Sequence, residues 1–208
     1  MDNYCKICFK KIEDYSLFNY FNKNNVLCEE CFGKLKAKFI YFTIAGIKAT
    51  AVFEYTDFIK ELIYKFKGCS DYELKDAFLY RYLTYLRIKY KGYYLVCAPS
   101  YHLDDEKRGF NHVEEIFKAL NLKMLHILKK KSGHKQSDQS FKNRRSIHDV
   151  IYIQNNTSLK DKKILLADDI MTTGSTLLTS IELLKGAGAK TIKVLVIAKT
   201  KKKPKTEY

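Results

Sequence analysis

Residues 164–176 read Ile-Leu-Leu-Ala-Asp-Asp-Ile-Met-Thr-Thr-Gly-Ser-Thr, which predicts a strand, a turn and the start of a helix in succession. The first four side chains are apolar and too few for a helix, as in a strand that is buried on both faces. Two carboxylates follow this strand, and a turn of glycine and hydroxyl residues follows them. Apolar side chains then recur at helical spacing, at Leu177, Leu178, Ile181 and Leu184. The stretch therefore places acidic and hydroxyl groups where a strand ends and a helix begins.

The residue types of this turn suit a sugar phosphate. A helix N-terminus has unpaired N–H groups and a partial positive charge, and both attract a phosphate. Gly174 lets the backbone approach a ligand closely. The hydroxyl donors around it are Thr172, Thr173, Ser175 and Thr176. Asp168 and Asp169 repel a phosphate, but their carboxylates accept hydrogen bonds from ribose hydroxyls or hold a magnesium ion through water.

Other interpretations of this stretch fit less of it. No glycine of the chain is followed by Lys-Ser or Lys-Thr, which excludes the nucleoside-triphosphate P-loop. Gly186 and Gly188 do not complete a dinucleotide fingerprint, because Thr191 stands in place of its third glycine. A plain acidic turn with Thr172 as the helix N-cap would explain a lone Asp-Asp pair, but not the whole pattern.

Two CxxC pairs near the N-terminus predict a metal site. Cys5, Cys8, Cys28 and Cys31 form the pairs. Each pair can bring two thiolates to one tetrahedral zinc ion. A disulfide framework and a redox motif are the alternatives, but residues 1–9 lack the features of a signal peptide. We therefore expect a cytoplasmic protein, in which disulfides are rare, and interpret the four cysteines as ligands of structural zinc. Reduced thiols or another metal stay open, and Cys69 and Cys97 are expected to be buried single thiols.

The segment 164–176 closely resembles the phosphoribosyl-pyrophosphate signature of the type I phosphoribosyltransferases. The resemblance implies that Asp168 and Asp169 hold the ribose hydroxyls, and that residues 172–176 hold the 5′-phosphate. The motif marks ligand binding rather than activity, because some proteins with this fold bind the ligand and act as regulators.

A double CxxC module ahead of that signature is similar to the ComF family of competence-associated, phosphoribosyltransferase-like proteins. Phe66-Lys67, Pro99 and Arg-Gly-Phe-Asn at 108–111 follow in the order of that family, and Gln136 and Arg144 match a later element. The resemblance implies that Lys67, Arg108, Gln136 and Arg144 contact the substrate. In this reading Lys67 or Arg108 neutralises the departing pyrophosphate.

One position of the sequence, His112, differs from the usual pattern of that family. His112 follows Arg-Gly-Phe-Asn where the family usually has Gln. We interpret His102, His112 and His134 as surface or loop residues rather than as bases or ligands, because structural and partly exposed histidines are common.

Periodicity predicts an α/β fold with a mostly parallel sheet and helices on both faces. The resemblance implies that this fold is of the type I phosphoribosyltransferase, Rossmann-like kind. A small zinc-ribbon module at 1–40 precedes a domain at 41–208 that ends in a basic tail. Predicted strands are 50–55, 93–98, 123–128, 163–167 and 191–198, with 150–153 as an edge strand, and predicted helices are 58–66, 72–88 and 110–120. Ligands of such sheets bind at the carboxyl ends of the strands. No apolar span has membrane length, so no membrane insertion is expected.

The formal net charge of +15 predicts an anionic partner. Basic residues concentrate in two runs, 129–145 and 199–205, and the second run has the composition of a solvated tail. An anionic ligand accounts for part of this charge, and nucleic acid would account for more. The aromatic residues of 72–90 are assigned to the core and the helix surface.

The leading prediction is an enzyme that uses phosphoribosyl pyrophosphate and magnesium and transfers the phosphoribosyl group to an unidentified nitrogen acceptor. Asp168 and Asp169 are its catalytic residues, because they fix the ribose ring. The alternative is a non-catalytic DNA-uptake factor that binds single-stranded DNA and a helicase partner. A ligand-sensing transcription regulator is a weaker possibility, since no helix-turn-helix pattern precedes the domain.

Overall fold

The computed structural model describes residues 4–12, 25–131, 150–154 and 158–200 of the 208-residue chain. Its strands are β1 (Ile40–Ile44), β2 (Ile47–Glu54), β3 (Tyr94–Cys97), β4 (Leu128–Lys131), β5 (Val150–Ile153), β6 (Lys163–Met171) and β7 (Thr191–Lys199). Its α-helices are α1 (Glu29–Lys34), α2 (Asp57–Gly68), α3 (Lys75–Leu79), α4 (Leu83–Lys89), α5 (His102–Arg108), α6 (His112–Phe117) and α7 (Ser175–Gly186). Short 3-10 turns occupy Tyr72–Leu74, Tyr80–Tyr82 and Lys118–Leu120.

The main sheet has five strands in the order β1-β2-β7-β6-β3. Strands β2, β7, β6 and β3 are parallel, and β1 pairs antiparallel with β2 across a tight turn. This arrangement confirms the predicted α/β fold with a mostly parallel sheet.

Alternate residues of the central strands pack into opposite layers, as the two-residue period of a strand requires. In β6, Leu165 and Ala167 belong to one buried cluster, while Ile164 and Leu166 belong to another. The first cluster continues into α2, α3 and α6, and the second into α7. Layers on both faces explain why the predicted strand reads as an unbroken apolar run.

The amino-terminal module packs into the first of these clusters. Leu27, Cys31 and Leu35 are buried there together with Val52 and Phe78 of the larger domain. Further contacts join the module to the turn at Tyr80–Tyr82. The Tyr82 hydroxyl donates to Leu35 O (3.3 Å) and accepts from Ala37 N (2.8 Å).

Several predicted elements differ in the structure. The helix predicted at 72–88 is interrupted by 3-10 turns, and the interruption directs Tyr80 and Tyr82 toward the amino-terminal module, so tertiary contacts override periodicity. The helix predicted at 110–120 begins at His112 and tightens into a 3-10 turn after Phe117. Residues 123–125 make only an isolated bridge to Leu95, and the strand begins at Leu128.

Strand β5 occupies the predicted residues 150–153 but does not lie at an edge of the main sheet. It pairs antiparallel with β4, and the two form a separate ribbon. Within the part of the chain that the structure describes, no helix combines the length and the apolar character needed to cross a bilayer.

Candidate functional site

The carboxyl ends of β3 and β6 lie side by side. Cys97 pairs with Ala167, and Ala98 N donates to Ala167 O at 2.7 Å. Strand β6 extends past the predicted end at residue 167 and includes both Asp168 and Asp169. The acidic pair therefore lies at the edge of the sheet where ligands of parallel sheets bind.

A cavity of about 250 Å³ opens at these strand ends. It brings together five of the predicted site residues, Lys67, Arg108, Asp168, Asp169 and Thr176. The residues before Thr176, at 172–175, form the adjoining loop and do not line the cavity. Gln136 and Arg144 lie outside the described residues.

Both carboxylate oxygens of Asp169 have hydrogen-bonding partners. Its Oδ2 lies 3.1 Å from Lys67 Nζ and 3.0 Å from His112 Nε2, while its Oδ1 accepts a hydrogen bond from Ile170 N. Burial opposes its ionisation, but the hydrogen bond with His112 and the charge of Lys67 together hold the pKa of Asp169 below its usual range. Asp169 is thus a fixed negative charge.

Asp168 has the opposite electrostatic character. Burial and the negative charge of Asp169 raise the pKa of Asp168 well above its usual range. One of its oxygens accepts a hydrogen bond from Asp169 N at 2.9 Å. A ligand that brings hydroxyl donors or a cation to Asp168 would relieve the repulsion between the two carboxylates.

The loop at 172–176 leads directly into α7. Gly174 is the residue that precedes the helix, with φ +80°, a conformation that favours glycine. Gly174 is therefore the N-cap, and the alternative that Thr172 caps the helix is wrong. Thr173 Oγ1 lies 3.3 Å from Ser175 Oγ, so hydroxyl groups cluster beside the N-terminus of a twelve-residue helix.

The Arg-Gly-Phe-Asn motif joins two helices to the cavity wall. Gly109, with φ +82°, ends α5, and the Asn111 side chain accepts a hydrogen bond from Glu114 N as the N-cap of α6. The Phe110 ring packs on Phe66, with centroids 5.2 Å apart. The motif therefore fixes the position at which Arg108 enters the cavity.

Both cations predicted to face pyrophosphate are already paired with carboxylates. Arg108 Nη1 donates to Asp105 Oδ1 at 2.9 Å, and Arg108 Nε donates to Lys67 O at 2.8 Å. Lys67 pairs with Asp169. Lys130 of β4 also lines the cavity. It belongs to the basic run 129–145, in which Gln136 and Arg144 were the predicted substrate contacts.

The structure contradicts the prediction for His112. It was expected to be a surface or loop residue, but it is 3% exposed and its side chain lies between Arg108 and Asp169. The residue begins α6, and its burial results from packing against β6. Its position directly after the Arg-Gly-Phe-Asn motif was the signal that it belongs to the site.

The four cysteines of the two CxxC pairs come together. The sulfur atoms of Cys5, Cys8, Cys28 and Cys31 all lie within 4.8 Å of one another, and those of Cys8 and Cys28 are 3.6 Å apart. Sulfur ligands about 2.3 Å from a tetrahedral zinc ion would be roughly 3.8 Å apart. The cluster therefore fits structural zinc.

The electrostatics of the cluster also suit a cation. Burial disfavours the thiolate of Cys5, but hydrogen bonds from backbone N–H groups lower its pKa to about 7. Burial and the neighbouring thiols raise the pKa of Cys31 instead. A divalent ion would supply the charge that lets all four thiols ionise. Of the remaining cysteines, Cys97 is buried as expected, whereas Cys69 is exposed and the expectation for it was wrong.

A model of the phosphoribosyl transferase domain matches residues 106–208. The matched range contains Arg108, the acidic pair and the loop at 172–176. Together with the mostly parallel sheet and the site at its carboxyl edge, this match defines a phosphoribosyltransferase-like domain.

Two curated proteins are similar over much of the chain. Competence protein ComFC of Streptococcus pneumoniae (strain ATCC BAA-255 / R6) is 31% identical over 154 residues, which cover 74% of this chain and 69% of that protein. Competence protein ComFC of Bacillus subtilis (strain 168) is 32% identical over 129 residues, which cover 61% of this chain and 53% of that protein. The chain belongs to the ComF family.

Solved structures of phosphoribosyltransferases also match. A hypoxanthine phosphoribosyltransferase from Staphylococcus aureus has a TM-score of 0.40 and 17% identity, over 64% of this chain and 67% of that one. A purine phosphoribosyltransferase from Pyrococcus horikoshii Ot3 has a TM-score of 0.39 and 21% identity, over 64% of this chain and 92% of that one.

Proposed function

We propose that the protein binds phosphoribosyl pyrophosphate in the cavity at the carboxyl ends of β3 and β6 and transfers its phosphoribosyl group to a nitrogen acceptor. The observation that carries this proposal is the juxtaposition of the acidic pair with the N-terminus of α7. Two carboxylates suit the ribose hydroxyls, and the helix N-terminus with its hydroxyl loop suits the 5′-phosphate.

Each part of the ligand has a partner of matching chemistry. Asp168 would accept hydrogen bonds from the ribose hydroxyls, while Asp169, held by Lys67, contributes a fixed negative charge beside the ring. The loop at 172–176 would hold the 5′-phosphate. Lys130 and Lys67 would face the pyrophosphate, and Gln136 and Arg144 are proposed contacts on the basis of the family pattern. Magnesium, when bound, would neutralise pyrophosphate oxygens.

The chemical step would depend on orientation and electrostatics. Displacement of pyrophosphate from the anomeric carbon leaves positive charge on the ribose ring in the transition state. The carboxylates of Asp168 and Asp169 would stabilise that charge. The protein would also hold the acceptor and the anomeric carbon in line, so no nucleophile of the chain is needed.

Release of pyrophosphate tests this function directly. Phosphoribosyl pyrophosphate and magnesium are incubated with the protein and with a panel of nucleobases and amides. We expect turnover with at least one acceptor and loss of turnover in an Asp168→Asn variant. Binding without turnover across the whole panel would favour a regulatory or sensing protein instead.

A second candidate function is the binding of single-stranded DNA, which the names of the competence relatives make relevant. The specific observation is a basic groove at the amino ends of the strands, opposite the cavity. Two adjoining cavities of about 450 and 400 Å³ form it. Its cations are Arg87, Lys91 and Lys123 in one cavity and Lys48 and Lys193 in the other. Lys89 also lines the second cavity, but its ammonium group is buried against tyrosine rings. None of the described residues that line either cavity is acidic.

Aromatic rings accompany the cations of this groove. Lys193 Nζ lies 5.1 Å from the ring centroid of Tyr93 and so connects the two cavities. Tyr41 is 64% exposed, and Tyr94 lies 5.8 Å from Lys123 Nζ. Positive grooves with accessible rings suit single strands, because phosphates track the cations while bases stack on the rings. Oligonucleotide binding by a variant without the groove lysines tests this candidate. A DNA helicase as a partner stays a proposal that rests on the family alone.

We also propose that Cys5, Cys8, Cys28 and Cys31 bind one structural zinc ion. The ion would stabilise residues 1–40, which we propose as a zinc-ribbon module ahead of the domain at 41–208. Thiolate ligation of this kind suits the reducing cytoplasm, where we propose the protein acts.

A further inference from the structure

His112 bridges two charged groups of the site. Its Nε2 lies 3.0 Å from Asp169 Oδ2, and its Nδ1 lies 3.2 Å from Arg108 Nη1. The residue is 3% exposed, so water cannot replace either contact easily. The bridge joins β6, which carries Asp169, to the turn between α5 and α6.

These two contacts determine which nitrogen of the ring carries hydrogen. The guanidinium of arginine has donors only, so the contact with Arg108 requires a lone pair on His112 Nδ1. Nε2 then carries the hydrogen and donates it to Asp169. Arg108 Nη1 has two hydrogens, and Asp105 Oδ1, at 2.9 Å, accepts the other, while Phe110 O lies at a longer distance of 3.5 Å. A doubly protonated ring would direct an N–H group at the guanidinium and lose this bond.

We infer that His112 is a positioning residue, which acts as the neutral Nε2–H tautomer to hold Asp169 and Arg108 in place around the ligand. This inference rests on the proposed binding of phosphoribosyl pyrophosphate. Two donors, Lys67 and His112, fix Asp169 Oδ2, and a carboxylate that is held from two sides keeps its orientation when the ligand enters. Nothing in this role requires the ring to touch the ligand or to transfer a proton.

Two substitutions of His112 distinguish the effect of its hydrogen bonds from the effect of its ring volume. A glutamine side chain has both an N–H donor for Asp169 and a carbonyl acceptor for Arg108, so His112→Gln can keep the bridge. His112→Leu fills similar space but leaves both charged partners short of one hydrogen bond. His102→Leu is the matched control, because His102 is an exposed histidine of α5.

The affinity of each variant for phosphoribosyl pyrophosphate with magnesium is measured by calorimetry, and folding by thermal denaturation. We expect His112→Leu to bind roughly 10- to 150-fold more weakly, the loss expected when one hydrogen bond between the ligand and a charged group is misplaced. We expect His112→Gln to stay within about threefold of the wild type, and His102→Leu to be unchanged. Wild-type affinity in His112→Leu would overturn the inference, as would an equal loss in both His112 variants.

Nitrogen NMR of His112 in the ligand-free protein gives a readout that does not depend on ligand binding or on variants. We expect one pyridine-type nitrogen, Nδ1, and one protonated nitrogen, Nε2. The other tautomer or a doubly protonated ring would overturn the inference even if His112→Leu fails to fold. Failure of the wild-type protein to bind phosphoribosyl pyrophosphate, with this tautomer in place, would instead overturn the proposed function.

Discussion

The Lys67 ammonium lies 3.1 Å from Asp169 Oδ2, so a cation expected to face pyrophosphate pairs with a carboxylate expected to face ribose. The two residues are more than one hundred positions apart in the sequence, and the pair connects the end of α2 to β6. About two fifths of the Lys67 side chain is still exposed. In the proposed complex the pair would lie between the ribose and the pyrophosphate, and Lys67 would contact both.

The two aspartates should respond differently to neutralisation. Asp168→Asn removes a carboxyl that is repelled by its neighbour, so we expect the ligand-free protein to keep or gain thermal stability. Asp169→Asn removes the partner of Lys67 and His112, and should cost about 1–3 kcal/mol of unfolding free energy. Both variants should bind phosphoribosyl pyrophosphate roughly 10- to 150-fold more weakly. Denaturation curves and calorimetry check this, and wild-type affinity in both variants would refute the assigned site.

Gly174 should tolerate no side chain without loss of binding. An alanine there must adopt a left-handed conformation, which costs about 1–2 kcal/mol, and its Cβ would come 2.9 Å from Ile44 Cδ1. We expect Gly174→Ala to weaken ligand binding by about tenfold. Gly186→Ala is the control, because it lies in the same helix and its Cβ would meet open space. Equal affinities in the two variants would show that the loop does not hold the phosphate.

Purified protein should contain one zinc ion per chain, measurable by elemental analysis. Cys28→Ser should abolish zinc binding and lower the melting temperature by roughly 5 °C or more. In a chain of this size, each kcal/mol of lost unfolding free energy lowers the melting temperature by about 2–4 °C. Cys69→Ser, at an exposed single thiol, should change neither quantity. A metal-free protein whose four clustered thiols react freely in the folded state would contradict the prediction.

Oligonucleotide binding should depend on the basic groove. The combined variant Lys48→Ala, Lys91→Ala and Lys123→Ala should reduce the slope of log affinity against log salt by about 2, from roughly 0.7 per lost phosphate contact. A control with the same charge changes Lys60, Lys107 and Lys190 to alanine. Equal slopes in the variant and the control would exclude the groove. The basic runs at 129–145 and 199–205 would then be tested in the same way.

Tyr90 should make the protein sensitive to alkaline pH. Burial raises the pKa of Tyr90 to about 12, above the value near 10 of an unfolded chain. Between these values the unfolded state has lost the proton that the folded state keeps, so stability falls as the pH rises from about 10 to about 12. Denaturation midpoints of Tyr90→Phe should fall less steeply in this range. Tyr64→Phe, at an exposed ring, should follow the wild type.

Most of the correct predictions came from sequence patterns within short continuous segments. The strand, carboxylates and loop of residues 164–176 are contiguous, and two CxxC pairs need only one loop to meet. The strand with its acidic pair, the following helix and the cysteine cluster could therefore be predicted from spacing. Metal-ligating residues that are close in sequence, and strands within one continuous segment, depend mainly on neighbouring residues. Such features can be recognised from the sequence pattern alone.

Contacts between distant segments could not be predicted in this way. The burial of His112 depends on Asp169, 57 positions away, and the periodicity of residues 110–120 contains no sign of that partner. The interruption of the helix at 72–88 likewise follows from hydroxyl contacts of Tyr80 and Tyr82 with the first forty residues. The partners of such polar groups depend on the three-dimensional arrangement of distant segments, which hydrophobic patterning does not predict.

The burial of Leu35 against the larger domain has a practical consequence for work with shortened chains. A chain cut at residue 40 would lose Leu27, Cys31 and Leu35 from a shared apolar cluster and uncover Val52 and Phe78. Newly uncovered apolar surface promotes aggregation. A truncation designed to isolate the phosphoribosyltransferase-like domain would therefore remove part of its own core. In the uncut chain, zinc supply during expression should affect the yield, because the proposed zinc ion holds the module that covers this surface.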